Sequence, residues 1–291
     1  MKKAIATPSR TREILETYHL FAKKNYGQNF LIEPGIVEKI ARHAIISDHT
    51  LVIEIGPGIG ALTQYLAEYA AKVISFEIDD RLIEVLNDTL SEYDNIEIIH
   101  QDFLEVDLKA FCKPYLEEGF DIVIAANLPY YITTPILFKI FEAEAGIQAI
   151  TVMMQKEVAD RFGAKVNTKD YNALSVVTQY RCNVKAVMKV GRNVFQPKPA
   201  VDSSVVQFTF KDKVDVVNEM EFFTMVKACF KQRRKTIRNN YLEFIQDKEK
   251  ALSDLKLAGI DEARRAESLS LDEFKKLYEV RIDDQTSTCE S

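Results

Sequence analysis

Paired cysteines are missing from this chain of 291 residues: Cys112, Cys182, Cys229 and Cys289 stand far apart and form no ligand spacing. That pattern excludes a zinc module and predicts reduced thiols. Absent too is any apolar run near the roughly 20 residues that a membrane helix requires. The N-terminus carries mixed charge in place of the apolar core of a signal peptide. The expectation is a cytoplasmic protein with no metal and no membrane partner. Carboxylates are missing from two long stretches. Between Asp170 and Asp202 the charged residues are Arg181, Lys185, Lys189, Arg192 and Lys198; from Phe222 to Asn240 they are Lys227, Lys231, Arg233, Arg234, Lys235 and Arg238. The net charge of -6 therefore hides a polarised molecule, and its distribution outweighs its sum.

What is present is an ordinary globular balance, 47% hydrophobic and 28% charged, long enough for one large core and a smaller domain. From Thr50 to about Gln155 short apolar runs alternate with helical patterns, the habit of a parallel sheet wrapped by helices. The runs predict strands at Leu51 to Ile55, Lys72 to Glu77, Ile96 to His100, Asp121 to Ala126 and Ile147 to Met154, with helices at Arg81 to Leu90 and Pro135 to Glu142. Val184 to Val190 and Ser204 to Phe210 add two strands. The result is a seven-stranded α/β sheet of Rossmann-like type, closed by an antiparallel hairpin as in methyltransferases. Beyond about Lys211 the strand signal stops. Phe222, Val226, Phe230, Ile237 and Tyr241 recur at spacings of 4, 4, 7 and 4, which predicts one apolar helix face. Lys227, Lys231, Arg234 and Arg238 recur at 4, 3 and 4 on another face of the same helix. A solvated face usually mixes signs, so the missing carboxylates point to phosphate contact. Ser270 and Glu273 read as a capping box that opens a last helix through Tyr278. The expected division is a catalytic domain over residues 1–211 and a small helical RNA-binding or ribosome-binding domain over 212–291.

Glu54-Ile55-Gly56-Pro57-Gly58-Ile59-Gly60 follows a strand and precedes a helix, where glycines let the backbone turn tightly and approach a nucleoside. Gly56, Gly58 and Ala61 also satisfy the dinucleotide fingerprint, so an NAD-linked enzyme remains open on this motif alone. Glu77 ends the second strand, 21 residues after Gly56, where a carboxylate accepts from both ribose hydroxyls. Asp102 follows the third strand and can accept from the amino group of a cofactor adenine. At the fourth strand end stands Asn127-Leu128-Pro129-Tyr130-Tyr131. An amide, a carbonyl held open by the following proline and an aromatic face are the parts that grip a flipped-out adenine by its exocyclic amine. The Asn127 side-chain oxygen and the Leu128 carbonyl would favour a pyramidal N6 whose lone pair points at a methyl donor, with no strong base required. Pro129 fixes the chain beyond Leu128. Tyr130 and Phe195 offer flat faces to the base.

Four segments, YGQNFL (Tyr26 to Leu31), EIGPGIGALT (Glu54 to Thr63), NLPYYITTPIL (Asn127 to Leu137) and VFQPKPAVDSSV (Val194 to Val205), resemble the bacterial small-subunit rRNA adenine N6,N6-dimethyltransferases. FKQRRKTIRNN (Phe230 to Asn240) is a fifth. The resemblance implies a class I methyltransferase fold that uses S-adenosyl-L-methionine. It places Asn29 and Leu31 over the cofactor, Gly56 at the loop, Glu77 on the ribose, Asp102 on the adenine and Asn127 beside the methionine portion, with the target base between Tyr130 and Phe195. It implies dimethylation of two adjacent adenosines near the 3′ end of 16S rRNA in the 30S particle, by a monomer. Tyr26 departs from the phenylalanine or leucine usual there. Three other readings compete: a large-subunit (23S) adenine methylase of the macrolide-resistance type, a non-catalytic nucleic-acid-binding factor with the same fold, and an NAD oxidoreductase. The last lacks any candidate for hydride chemistry.

Overall fold

A computed structural model describes residues 3–20, 29–129, 131–211 and 216–289, with side chains as far as residue 282. By contact the chain groups into two compact units, Met1–Ala159 with Lys185–Phe210, and Asp160–Val184 with Lys211–Ser291. Residues 160–184, which the sequence division assigns to the catalytic domain, thus group with the C-terminal helices.

The first half of the chain runs α1 (Pro8–Thr17), β1 (Phe30–Leu31), α2 (Pro34–Ala44), β2 (Thr50–Ile55), α3 (Ala61–Tyr69), β3 (Lys72–Glu77), α4 (Asp80–Thr89), β4 (Ile96–His100), α5 (Leu108–Glu117), β5 (Asp121–Asn127), α6 (Thr133–Glu142) and β6 (Ala149–Gln155). There follow α7 (Lys156–Phe162), α8 (Ala173–Arg181), β7 (Cys182–Val190), β8 (Phe195–Gln196) and β9 (Ser203–Phe210). Seven strands form one sheet in the order β4-β3-β2-β5-β6-β9-β7. β2 is buried along its whole length, and β5 and β6 nearly so, as strands covered by helices on both faces must be. Their apolar runs carry the sequence signal for this reason. β4, at the edge, is only half-buried. β9 joins β6 antiparallel, with Val152 opposite Val206. Parallel register aligns Ile55 with Phe76 and with Ala126, and Asn127 with Met153. Those alignments bring the chain segments after β2, β3, β4 and β5 out at the same end of the sheet, where open α/β sheets bind ligands.

A two-stranded ribbon pairs β1 with β8, setting Leu31 opposite Phe195. Ile32 N–H donates to the Val194 carbonyl at 2.9 Å and extends that pairing by one step.

The remaining helices are α9 (Glu219–Cys229), α10 (Ile237–Ile245), α11 (Lys248–Leu257) and α12 (Leu271–Cys289). The single helix predicted across Phe222 to Tyr241 is corrected to α9, a turn and α10. Lys227 lies on α9, Lys231 and Arg234 in the turn, and Arg238 on α10, so the four cations form no stripe on one helix. Two features break the helix. Like charges at Lys231, Arg234 and Lys235 would meet three and four residues apart on a helix, which is unfavourable. Thr236 takes an extended backbone and caps α10 by accepting from the Asn239 N–H. The apolar spacing persists because both helices face one core, in which Phe222, Val226, Ile237 and Tyr241 are all fully buried. The capping box at Ser270 forms in both directions: Glu273 N–H donates to Ser270 Oγ at 3.2 Å and Ser270 N–H to Glu273 Oε2 at 2.8 Å. No helix among the described residues is long and apolar enough to cross a membrane.

Candidate active site

The glycine loop leaves β2 with Gly56 at φ +67° and Gly58 at φ +62°, a left-handed backbone that side chains rarely adopt. A Cβ built on Gly56 would meet nothing within 4 Å, so this backbone faces open space. A cleft of about 1160 Å³, including solvent at its mouth, lies there, which is ample for a nucleoside-sized ligand.

Glu77 reaches into this cleft from the end of β3 and is only 5% exposed. Its Oε2 accepts from Gly58 N–H at 3.2 Å, while Oε1 accepts from the N–H groups of Ile78 and Asp79, each at 2.9 Å. Burial holds its pKa above the usual carboxylate value, and these three amides pull the other way. A carboxylate offers about four acceptor positions, so Oε2 keeps one lone pair for a ligand hydroxyl. Glu54 forms part of the cleft floor at 1% exposure and accepts from Ser75 Oγ at 2.8 Å. Burial pushes its carboxyl up to about 7. Asp102 caps a short helical turn through Oδ1, which accepts from Leu104 N–H at 2.8 Å; no donor among the described residues reaches Oδ2.

Asn127 closes β5. Its Nδ2 donates to the Asn29 carbonyl at 3.4 Å, while no donor among the described residues reaches its Oδ1. The Leu128 N–H is tied to the Met153 carbonyl at 3.2 Å. Beyond it, the Pro129 carbonyl accepts from Ile132 N–H at 3.2 Å and from Thr133 Oγ1 at 3.0 Å, closing the turn into α6. The Leu128 carbonyl between them takes no hydrogen bond from the described residues. Two acceptors thus stand at the cleft without a donor among the described residues.

The ribbon delivers the rest. Asn29, Leu31 and Phe195 all line the cleft, and Phe195 is also part of the hydrophobic core at 4% exposure. Tyr130 and the stretch Tyr26 to Gln28 lie outside the described residues. The basic candidates sit elsewhere, in the helical unit. Lys231 is ion-paired with Glu243, Arg238 with Glu262 at 3.1 Å, and Arg233 with Glu267 at 3.1 Å. Arg234 and Lys235 are exposed and form no ion pair among the described residues, whereas Lys227 is simply exposed on α9.

Sequence reasoning missed Ile78 and Phe103 in the cleft lining, whereas Tyr131 belongs to the motif it singled out. Ile78 and Tyr131 are 47% and 59% exposed, unusual for large apolar side chains, while Phe103 packs edge-on against Phe76 at 5.7 Å. The available signal was an apolar residue directly after each strand-terminal acid. The described lining contains three carboxyl groups and no lysine, arginine or histidine. That donor set suits a cationic ligand and works against the pyrophosphate of NAD.

The sheet order and the ligand edge define a class I, Rossmann-like methyltransferase. Within that class, the chain belongs to the ribosomal RNA adenine dimethylase family, whose pattern it matches over residues 20–283. It is 48% identical to ribosomal RNA small subunit methyltransferase A of Oceanobacillus iheyensis, over 94% of this chain and 95% of that protein. Among solved structures it is similar to a dimethyladenosine transferase from Plasmodium falciparum, with a TM-score of 0.72, 29% identity, and coverage of 85% of this chain and 95% of that one. It is also similar to the 23S rRNA methyltransferase ErmE, with a TM-score of 0.64, 27% identity, and coverage of 88% and 100%.

Proposed function

We propose that this protein is an S-adenosyl-L-methionine-dependent rRNA adenine N6,N6-dimethyltransferase. It modifies two adjacent adenosines near the 3′ end of 16S rRNA within the 30S particle and acts as a cytoplasmic monomer. The observation that carries this reading is the pair of open acceptors, Asn127 Oδ1 and the Leu128 carbonyl, at a cleft whose described lining carries carboxyl groups and no cationic side chain.

The residues present fit the cofactor. Glu77 Oε2 would take a ribose hydroxyl, Asp102 Oδ2 the adenine amine, and Gly56 would let the loop backbone lie against the ligand. Asn29 and Leu31 would close over it, with Ile78 and Phe103 flanking the adenine ring. The cofactor would supply an electrophilic methyl group on a sulfonium centre. Asn127 Oδ1 and the Leu128 carbonyl would accept from the two N6 hydrogens of the target adenine, concentrating its lone pair and stabilising the positive charge that develops on nitrogen. Both acceptors are held in advance, Leu128 by the Met153 bond and the closed Pro129 turn, so little reorganisation accompanies the reaction. Phe195 and Tyr130 would stack on the extruded ring. In the helical unit Arg234 and Lys235 become the foremost phosphate contacts, with Lys227, Lys231 and Arg238 around them.

Labelled methyl transfer to undermethylated 30S particles, followed by mapping of the modified nucleotides, tests this directly. Two adjacent dimethyladenosines near the 3′ end of 16S rRNA are expected. Incorporation into 50S and not 30S particles would replace the reading with 23S methylation.

A further inference from the structure

The stretch between Asp170 and Asp202 lacks carboxylates, and its part from Lys185 onward belongs to the sheet-bearing unit. β7 is the outermost strand of the sheet. Lys185 and Lys189 stand four residues apart on it, so their side chains leave the same face, about 13 Å apart at roughly 3.3 Å per residue. Both are exposed. The neighbouring strand β9 carries no charged residue at all, and Ser204 Oγ donates to the Met188 carbonyl at 3.3 Å where the two strands meet. From Val190 the chain turns through Arg192 directly to Phe195. Arg192 secures this turn: its N–H donates to Asp202 Oδ1 at 3.0 Å and its guanidinium to the Ala200 carbonyl at 3.0 Å. Between those anchors the loop presents Lys198, also exposed.

Several other cations in this unit sit beside carboxylates, among them Arg42 with Glu38, Lys72 with Glu97, Arg81 with Asp79 and Lys109 with Glu144. Lys185, Lys189 and Lys198 make no ion pair among the described residues. Lysines on an edge strand discourage strand-to-strand aggregation, which accounts for the first two. It does not account for Lys198, which lies off the strand in the loop that follows Phe195, a residue of the cleft lining.

We propose that Lys185, Lys189 and Lys198 form a phosphate track along the outer edge of the sheet that leads the RNA strand to the Phe195 end of the cleft. The track belongs to the sheet-bearing unit, not to the helical one that holds the basic turn, and rests on the methyltransferase reading above. Its partner is the substrate RNA backbone, because nothing on the track reads a base and its charge is unneutralised.

The test compares wild type, a triple Lys185→Gln, Lys189→Gln, Lys198→Gln variant and the matching triple arginine variant. Binding to undermethylated 30S particles is measured across a salt series, with cofactor affinity followed by calorimetry. Each phosphate that loses its cation lowers the slope of log affinity against log salt by about 0.7–0.9, so the glutamine variant should lose about 2 from the slope and bind at least tenfold more weakly. The arginine variant should restore both, and cofactor affinity should stay unchanged in all three proteins. Wild-type affinity and slope in the glutamine variant would overturn the track alone. Wild type that binds cofactor but neither binds nor methylates the particles would overturn the parent reading, and the track with it.

Discussion

Polar groups at the cleft and polar groups on the helical unit are treated in opposite ways. At the cleft, Asn127 Oδ1, the Leu128 carbonyl and Asp102 Oδ2 receive no donor from the described residues, although the group next to each is hydrogen-bonded. In the helical unit, Lys231, Arg233 and Arg238 each find an acid of their own. Facing an open cleft, these acceptors can be hydrated in the free protein, and a ligand that brings its own donors can replace that water. A cation already neutralised has less to offer a phosphate. Cationic count alone therefore overstates the helical unit as an RNA surface, while the number of charged residues understates the cleft.

The largest expected effect follows from removing an open acceptor. Asn127→Ala should lower the single-turnover rate of methyl transfer by a factor on the order of 10²–10³, the usual consequence of deleting one preorganised electrostatic partner. A fall of less than threefold would show that the amide oxygen does not act on the reacting nitrogen. Asn127→Asp probes the second transfer. Once N6 carries one methyl group it has one hydrogen left, and an acceptor loses its partner; an orphaned neutral amide costs less than an orphaned carboxylate. The aspartate variant should accumulate monomethyladenosine, and an unchanged ratio of dimethyl to monomethyl product by mass spectrometry would sink this account.

Glu54 gives the next effect, through pH. The folded protein keeps its proton up to about pH 7, while the unfolded chain releases it near the ordinary 4.5. Between those values the native state binds more protons than the unfolded state, so this group makes stability fall as pH rises. Denaturant unfolding at pH 5 and pH 8 should show wild type losing up to about 3 kcal/mol relative to Glu54→Gln over that interval. Parallel pH profiles for the two proteins would refute the assignment. Glu77→Gln should weaken cofactor binding by about 1.5–3 kcal/mol in calorimetry, the range for a hydrogen bond to a charged group. It should also lower the melting temperature, since the same carboxylate holds the Gly58 N–H.

The strand ends were legible and their completion was not. β3 falls where the apolar run places it, because a buried parallel strand must be apolar on both faces, and β4, half-buried at the edge, still shows through its three isoleucines. Glu77, Asp102 and Asn127 could be found because each follows such a run. β1 and β8 could not, since two-residue strands have no periodicity and pair between distant parts of the chain. The Asn-Leu-Pro sequence suggested an open carbonyl at Leu128, but only the fold reveals that the next carbonyl, at Pro129, is consumed by Ile132 and Thr133. The basic helix misled because a spacing of 4, 4, 7 and 4 fits one long helix as well as two helices sharing a core. Its ion-pair partners Glu243, Glu262 and Glu267 lie downstream, outside the carboxylate-free stretch from which the stripe was inferred.

The smallest effects lie within the basic turn and divide its cations. If pairing decides availability, Arg234→Ala with Lys235→Ala should weaken binding to 30S particles several-fold and flatten its salt dependence by about 1.5, because two phosphates would go without a cation. Lys231→Ala with Arg238→Ala should act less on the RNA, because each cation already shares its charge with Glu243 or Glu262. Exposed pairs of this kind are worth about 0–1 kcal/mol, so the second variant should lose at most a few degrees of melting temperature. Equal losses of particle affinity in the two double variants would mean that the acids release their partners when RNA arrives. The contrast between cleft and helical unit would then describe the free protein alone, and Lys231 and Arg238 would rejoin Arg234 as phosphate ligands of the complex.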